Sequence, residues 1–315
     1  MLDPGSPWSI VYHIITLLAL CQYFFFFFSM KINDIVPDKH NYLQIVGNIA
    51  KPPHILHYTG KLPESRLPTV AIVGTRKPTS YGREVTERFS YELASKGVVV
   101  ISGLALGVDA IAHRAALDAG GTTLAVLPCG LPRIAPATNR GLAEDIVRCG
   151  GALICEYDGD AEVAWKSNML ERNRLVSGIA DAVLITEASA RSGTLNTAAH
   201  ALEQGKAVFV VPGNITSPSS AGCNALLKQG ATPVTCVEDI LEVIAPQLLT
   251  SQTQFALGSN THELQIIAQL QAGLRDGDEI QRATGIAAGD MSTSLTMLEL
   301  AGTIKALGAN QWTLR

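Results

Sequence analysis

Three short segments combine glycine with hydroxyl or guanidinium side chains in a pattern suited to holding an anion: Gly74-Thr75-Arg76, Ser102-Gly-Leu-Ala-Leu-Gly107 and Ser192-Gly193-Thr194. Each follows an apolar run and opens a helical one. The first N–H groups of a helix lack intrahelical partners and carry the positive end of its dipole, so such turns attract negative charge. Ser102, Gly103 and Gly107, and likewise Ser192, Gly193 and Thr194, can expose backbone N–H groups and let a phosphate approach closely. A second pattern places Asp109 and His113 four residues apart on one helix. That spacing suits either acid–base chemistry or a local hydrogen bond or packing contact. No nucleophile beside them completes a catalytic set. The six cysteines, at 21, 129, 149, 155, 223 and 236, include no C-x-x-C pair. They read as buried apolar thiols of a reducing cytoplasm, and no metal or cofactor is implied.

Apolar residues make up 47% of the 315 and charged residues 17%, which suffices to bury a core and rules out disorder for most of the chain. The length suggests two domains, or one large domain with appendages. Lys and Arg total 24 against 28 Asp and Glu, a net charge of −4. A generally basic nucleic-acid coat protein is thereby excluded, so any phosphate binding must come from a local cluster.

The elements that position these turns alternate regularly beyond Pro68. Strands are expected at Thr69–Val73, Val98–Ile101, Thr122–Leu127, Ala152–Cys155, Ala182–Thr186 and Ala207–Val211. Helical periodicity lies between them at Tyr81–Lys96, Gly107–Ala119, Leu142–Cys149, Arg172–Gly178 and Thr194–Glu203, and a last unit runs from Ala221 through Val234 to Ile244. Continuous apolar runs alternating with amphipathic helices predict an α/β fold with a Rossmann-like, doubly wound, mostly parallel sheet over residues 66–245. In such a sheet ligands bind outside the carboxyl ends of the strands, where the three glycine-bearing turns converge.

Residues 30–65 read as a lead-in segment and 246–260 as a polar linker. Residues 261–315 read as a small winged helix: three short helices, then a hairpin around Gly308. Residues 288–302, which contain its third helix, carry no Lys or Arg, so a protein-interaction or regulatory role competes there with DNA recognition. Residues 1–29 are apolar, and Ile10 to Phe28 is long enough for a membrane span. The segment is either a dispensable upstream extension, the functional chain starting at Met30, or a membrane anchor; a secretory signal fits poorly.

At Val70-Ala-Ile-Val-Gly-Thr-Arg76 with Tyr81-Gly82, the sequence resembles the DNA processing protein A (DprA/Smf) family. Further stretches agree in order and spacing: Ser102 to His113, Arg172-Asn-Arg174 with Ser177-Gly178, Glu187-Ala188 with Ser192 to Ala198, and Val211-Pro-Gly213 with Gly222 to Leu227. The resemblance covers about residues 49–245 and, more weakly, the tail. It implies a cytoplasmic protein that binds single-stranded DNA, forms a homodimer and loads the RecA recombinase during natural transformation, by binding and without catalytic turnover. It also implies site residues. Arg76 matches the family's G-S/T-R arginine and can grip a phosphate with its planar fork. Lys166 stands where the family has a DNA-contacting lysine. Arg172 and Arg174 would place two cations on the same rim, or else pair with Glu171 or Glu187. Asn173 is expected to fix a loop by a hydrogen bond.

Two departures stand out. Leu106 occupies a position where the family usually has arginine, and Met169-Leu170 replaces an aromatic–proline pair. Either DNA is held more weakly, or Lys77, Arg83 or Arg191 compensates. The family's N-terminal helical domain is expected to be missing or cut short, unless residues 31–50 are its remnant. Tyr81, Tyr157 and Trp165 are the candidate stacking aromatics, so charge is expected to outweigh stacking. An apolar sheet edge around Leu226, Leu227 and Val234 either forms the dimer contact or belongs to the core. Two enzyme readings compete. A phosphoribohydrolase-type nucleotide enzyme would need a carboxylate where Thr197 stands. A dinucleotide-binding oxidoreductase would need the G-x-G-x-x-G turn that Gly74-Thr-Arg-Lys lacks.

Overall fold

Strands buried on both faces need helices on both sides, and the chain supplies them in alternation. The computed structural model describes residues 31–159, 165–249, 261–300, 303–308 and 310–314, and of Trp165 and Lys166 only the backbone. The apolar segment 10–28 lies outside the described residues. Among those described, no helix is long and apolar enough to cross a membrane.

In chain order the elements are β1 (Asn33–Ile35), β2 (Leu56–Gly60), β3 (Thr69–Val73), α1 (Ser80–Ser95), β4 (Val99–Ser102), α2 (Val108–Asp118), β5 (Thr123–Val126), α3 (Arg140–Arg148), β6 (Ala152–Cys155), α4 (Trp165–Ile179), β7 (Ala182–Ile185), α5 (Thr194–Glu203), β8 (Ala207–Val210), α6 (Ala221–Lys228), β9 (Thr232–Pro233) and α7 (Glu238–Ile244). One nine-stranded sheet runs in the order β1-β2-β6-β5-β4-β3-β7-β8-β9. From β6 to β9 all pairings are parallel, while β2 runs antiparallel to β6 and to β1. The fold is therefore a Rossmann-like doubly wound α/β sheet with an antiparallel edge. Strands β3 to β7 are buried at every position, which is why they read as unbroken apolar runs.

Residues 31–65 are more than a lead-in, because they contribute β1 and β2 to this sheet. Their anchor is Arg66, which lies over the Tyr42 ring at 5.0 Å, pairs with Asp181 and donates to the carbonyls of Tyr42 and Ile179. Tyr42, fully buried, shares a 2.9 Å hydrogen bond with Thr69 at the start of β3. Helix α1 is capped by Thr79, whose hydroxyl accepts the Gly82 N–H, and the chain leaves it through Gly97 at φ +82°. Leu226 and Val234 are buried, and Leu227 packs partly buried against the core, so the first two are core residues and offer no free dimer face.

From Gln247 onward the chain forms a second compact unit. Helices α8 (Thr261–Gln271), α9 (Gly277–Thr284) and α10 (Ala288–Leu300) precede an antiparallel hairpin of β10 (Ile304–Gly308) and β11 (Gln311–Leu314). Ile266, Ile280, Leu295 and Ile304 are among the residues of its own apolar core. Asp276 caps α9 by accepting the N–H groups of Asp278 and Glu279, and Gly285 ends it in the left-handed region.

Candidate functional site

Strand β3 lies between β4 and β7, so the chain winds outward from it in one direction and later returns to its other side. At this reversal the loops after β3, β4 and β7 part and leave a crevice. A cavity of about 300 Å³ fills it, lined by Gly74 to Arg76, Gly103, Ala105, Ser192 to Thr194 and one face of α4 (Met169, Arg172, Asn173, Val176). The loops brace one another: Thr75 N–H donates to Glu187 O (2.8 Å) and Val108 N–H to Thr75 O (3.1 Å). Gly107, at φ +79°, is where that contact needs a glycine, since a Cβ there would fall 2.4 Å from Thr75 O. It admits the neighbouring loop, and Gly107 is not among the residues lining the cavity.

The floor of the cavity is built from polar groups that satisfy one another. Arg172, only 6% exposed, donates to Gly103 O (2.6 Å) and Val126 O through Nη1 and to Asn173 Oδ1 (3.3 Å) through Nε. A Cβ on Gly103 would lie 2.5 Å from the Arg172 terminal nitrogens, so that glycine makes room for the guanidinium. Asp109 accepts the N–H groups of Gly103 (3.1 Å) and Ala105 (3.3 Å). Ser102 is fully buried and donates to Ile72 O (2.6 Å). The Ser102 hydroxyl and the Gly103 N–H are thus committed inside the protein and do not face a ligand, contrary to expectation. Burial raises the Asp109 carboxyl pKa, against the lowering effect of the Arg172 charge. Burial lowers that of Arg172, Asp109 opposes the shift, and the nearby Arg76 charge adds to it. Thr123 donates to Val100 O (2.8 Å), so His113 Nδ1 carries the proton and donates to Thr123 Oγ1 (2.7 Å). Burial and then the Arg172 charge bring His113 down to about 3, leaving it neutral. Asp109 and His113 therefore turn to separate structural partners.

The mouth is different. Arg76 is exposed, rests one terminal nitrogen on Met169 Sδ (3.1 Å) and has no carboxylate in ion-pair range among the described residues. Across from it, Ser192 Oγ donates to Thr194 Oγ1 (2.8 Å) and accepts the Thr194 N–H (3.2 Å), while Gly193 is exposed. Asn173 lines the cavity and ties α4 to α5 by donating to Asn196 Oδ1 (3.1 Å). Arg174 does not join the rim. It is 8% exposed, donates to both Glu156 oxygens at 2.6 Å, and brings Nε within 3.6 Å of Glu171. Two residues along a helix are about 200° apart, so Arg172 and Arg174 cannot share a face. Lys166 lies in the first turn of α4, its side chain outside the described residues. Tyr81 donates to Pro212 O (2.8 Å), and neither it nor Tyr157 lines the cavity. Lys77, Arg83 and Arg191 are exposed and also stand off it. Sequence reasoning passed over Arg133 and Arg140, which with Leu106 line an adjoining trough; the only signal was a proline-rich loop carrying Arg133 between Pro132 and Pro136.

Together these features define a doubly wound α/β protein with a cationic crevice at its switch point and a winged-helix unit behind it in the chain. Residues 33–245 match the family model of DNA recombination-mediator protein A, and residues 252–310 match that of the DprA winged helix domain. The chain is 38% identical over 274 residues to Protein Smf of Escherichia coli K12, covering 84% of this chain and 72% of that protein. It is 36% identical over 213 residues to the DNA processing protein DprA of Bacillus subtilis, covering 67% and 71%. Among solved structures it resembles DNA processing protein A from Helicobacter pylori, described in its single-stranded DNA binding mode, with TM-score 0.60 and 31% identity over 71% of this chain and 98% of that one. The Streptococcus pneumoniae DprA structure aligns with TM-score 0.61 and 34% identity over 69% and 75%. The chain belongs to the DNA processing protein A (DprA/Smf) family.

Proposed function

We propose that this protein binds single-stranded DNA at the switch-point crevice and passes it to a RecA-type recombinase when incoming DNA is processed in natural transformation. It works in the cytoplasm, as a homodimer, without catalytic turnover. The observation that carries this reading is Arg76: an exposed guanidinium with no ion-pair partner among the described residues, beside the buried charge of Arg172 at the mouth of the crevice. A phosphate of the bound strand would supply the counter-ion that Arg76 lacks. The single-stranded DNA binding described for the Helicobacter pylori relative supports the same assignment. Binding of labelled single strands and duplexes, followed by anisotropy across a salt series, tests it: single-strand affinity should fall steeply with salt, by about 0.7 in log K per phosphate contact for each tenfold change. Flat salt dependence, or equal preference for duplex, argues against it. Light scattering tests the dimer, and strand-exchange assays with added recombinase test the hand-over.

The nucleotide-enzyme reading is the weaker one. Thr197 lines the cavity where a carboxylate would be needed, and Asp109, the carboxylate that does line it, is held on two backbone N–H groups. Release of free base from a nucleoside monophosphate would revive that reading.

A further inference from the structure

Neither Gly82 nor Glu187 lines the crevice, yet the two meet behind the loop that carries Arg76. Glu187 follows β7 and is 2% exposed. Its carboxylate accepts the Thr79 N–H (2.8 Å) on one oxygen and the Thr79 hydroxyl (2.6 Å) on the other. Its backbone carbonyl accepts the Thr75 N–H (2.8 Å). One residue therefore holds both ends of the loop Thr75–Thr79, within which Arg76 is exposed.

A buried carboxylate is unfavourable unless hydrogen bonds or a cation compensate it. For Glu187 the compensation comes from the start of α1: Thr79 is the N-cap of that helix, and the helix dipole favours an anion there. Gly82 makes room for the carboxylate, because a Cβ at that position would collide with it. One turn further along α1, Thr86 donates to Gly82 O (2.6 Å) and shares a 2.7 Å hydrogen bond with Thr186. The helix is thus pinned at two successive residues after β7. The N-terminus of α1 is filled from within by a protein anion, so what it offers a ligand is the shape of the loop before it.

We propose that Glu187 is a positioning residue for the phosphate contact: without touching the strand, its carboxylate fixes the loop from which the Arg76 guanidinium reaches the mouth of the crevice. This rests on the single-stranded DNA reading above and adds to it the residue that makes the contact rigid. Gripping a phosphate removes side-chain and loop freedom, and a loop already fixed at both ends has less to lose. The sign of the effect separates shape from charge. A carboxylate behind a phosphate site opposes an anion, so loss of its charge alone would tighten binding. Loss of its hold on Thr79 weakens binding.

The test uses the full chain and a labelled oligothymidylate, followed by anisotropy across a salt series. Glu187→Ala keeps the Thr75 contact, which uses the backbone carbonyl, but releases Thr79. It should lower affinity about tenfold and reduce the salt slope by about 0.7, the loss of one phosphate contact. In an Arg76→Ala background the same change should lower affinity by less than about twofold, because residues that act through one contact are not additive. Glu187→Gln should recover most of the loss, since its amide oxygen can accept the Thr79 N–H and its amide nitrogen can donate to the Thr79 hydroxyl oxygen. Thr79→Ala, at an exposed position, removes one of the two bonds and leaves the charge in place. It should give a smaller loss that also vanishes without Arg76, and it decides the question if Glu187→Ala does not fold. Unchanged or tighter binding by folded Glu187→Ala, or by Thr79→Ala in its stead, overturns the proposal, as does a loss that adds in full to that of Arg76→Ala. If Arg76→Ala itself binds like the unmodified protein, the underlying reading falls and this one with it.

Discussion

The floor and the mouth of the crevice are both built around arginine, and they use it in opposite ways. On the floor, Arg172 is buried with carbonyl acceptors and the Asp109 charge close by, and its guanidinium fixes the loop after β4. At the mouth, Arg76 rests on a thioether and has no carboxylate in ion-pair range among the described residues. A buried charge that donates to internal carbonyls shapes a site, while an exposed charge without a counter-ion recruits a ligand. The contrast teaches that the number of arginines in a motif says little about binding until it is known which of them are already neutralised inside the fold.

The strongest way to break this contrast is to remove the floor. Arg172→Met leaves Gly103 O and Val126 O without their donor and takes away the positive charge that favours the Asp109 carboxylate, and unfolding free energy should drop by about 3–5 kcal/mol, as when one partner of a buried ionic cluster is removed. Chemical denaturation of the purified variant measures it. A loss below ~1 kcal/mol would mean that Arg172 is free to serve a ligand.

Acid tests the same floor through His113. Its folded pKa of about 3 lies below the ordinary 6.5, so its contribution is fully present above pH 6.5 and is lost as pH falls toward 3. The expected slope is about 1.4 kcal/mol per pH unit. Asp109, raised by burial, acts in the opposite sense: its contribution is present at low pH and lost as pH rises through its folded value. His113→Gln should therefore flatten the decline between pH 6.5 and 3 and leave the Asp109 trend visible. Melting curves across that range decide it, and parallel profiles for the two proteins would refute the buried neutral imidazole.

Much of the floor's scaffold was legible in the residues, because strands covered on both faces leave unbroken apolar runs such as Val70 to Val73 and Ala182 to Ile185. The strand-end location of Gly74-Thr-Arg76 followed from that. Strands β1 and β2 were not legible: they are short and partly exposed, and β2, on which β1 pairs, joins the sheet through β6, a segment about a hundred residues away. The two arginines of Arg172-Asn-Arg174 were misplaced for a more local reason. With the helix expected to begin at Arg172, nothing assigned its faces; α4 begins at Trp165, and Arg172 with Val176 then falls on the cavity side while Arg174 turns to Glu156. Which N–H groups of a glycine-bearing turn remain available is set by distant residues such as Asp109, which spacing alone does not reveal.

At the mouth the expected effect is on affinity and not on stability. Arg76→Ala should weaken single-strand binding about tenfold at physiological salt and reduce the salt slope by about 0.7, one phosphate contact. Arg76→Lys should recover the slope but not the whole affinity, since an ammonium does not reproduce the two-pronged contact. Anisotropy titrations at several salt concentrations separate these outcomes. An unchanged slope for Arg76→Ala would move the phosphate site elsewhere on the protein.

The smallest effect is expected where the criterion of uncompensated positive charge predicts no site at all. Helix α10 of the second unit occupies the place in the helix order that reads DNA in other winged helices, yet residues 288–302 hold no Lys or Arg. Ser292 and Thr296 are exposed one turn apart on it. Ser292→Glu with Thr296→Glu adds two negative charges at that surface, which would repel a phosphate backbone lying against the helix by several kcal/mol. If the first unit alone carries binding, affinity for single strands and duplexes should stay within about twofold, because screened charges away from the contact act weakly. A tenfold loss for either probe would put α10 on the nucleic acid, and the crevice at Arg76 would then be only part of the binding surface.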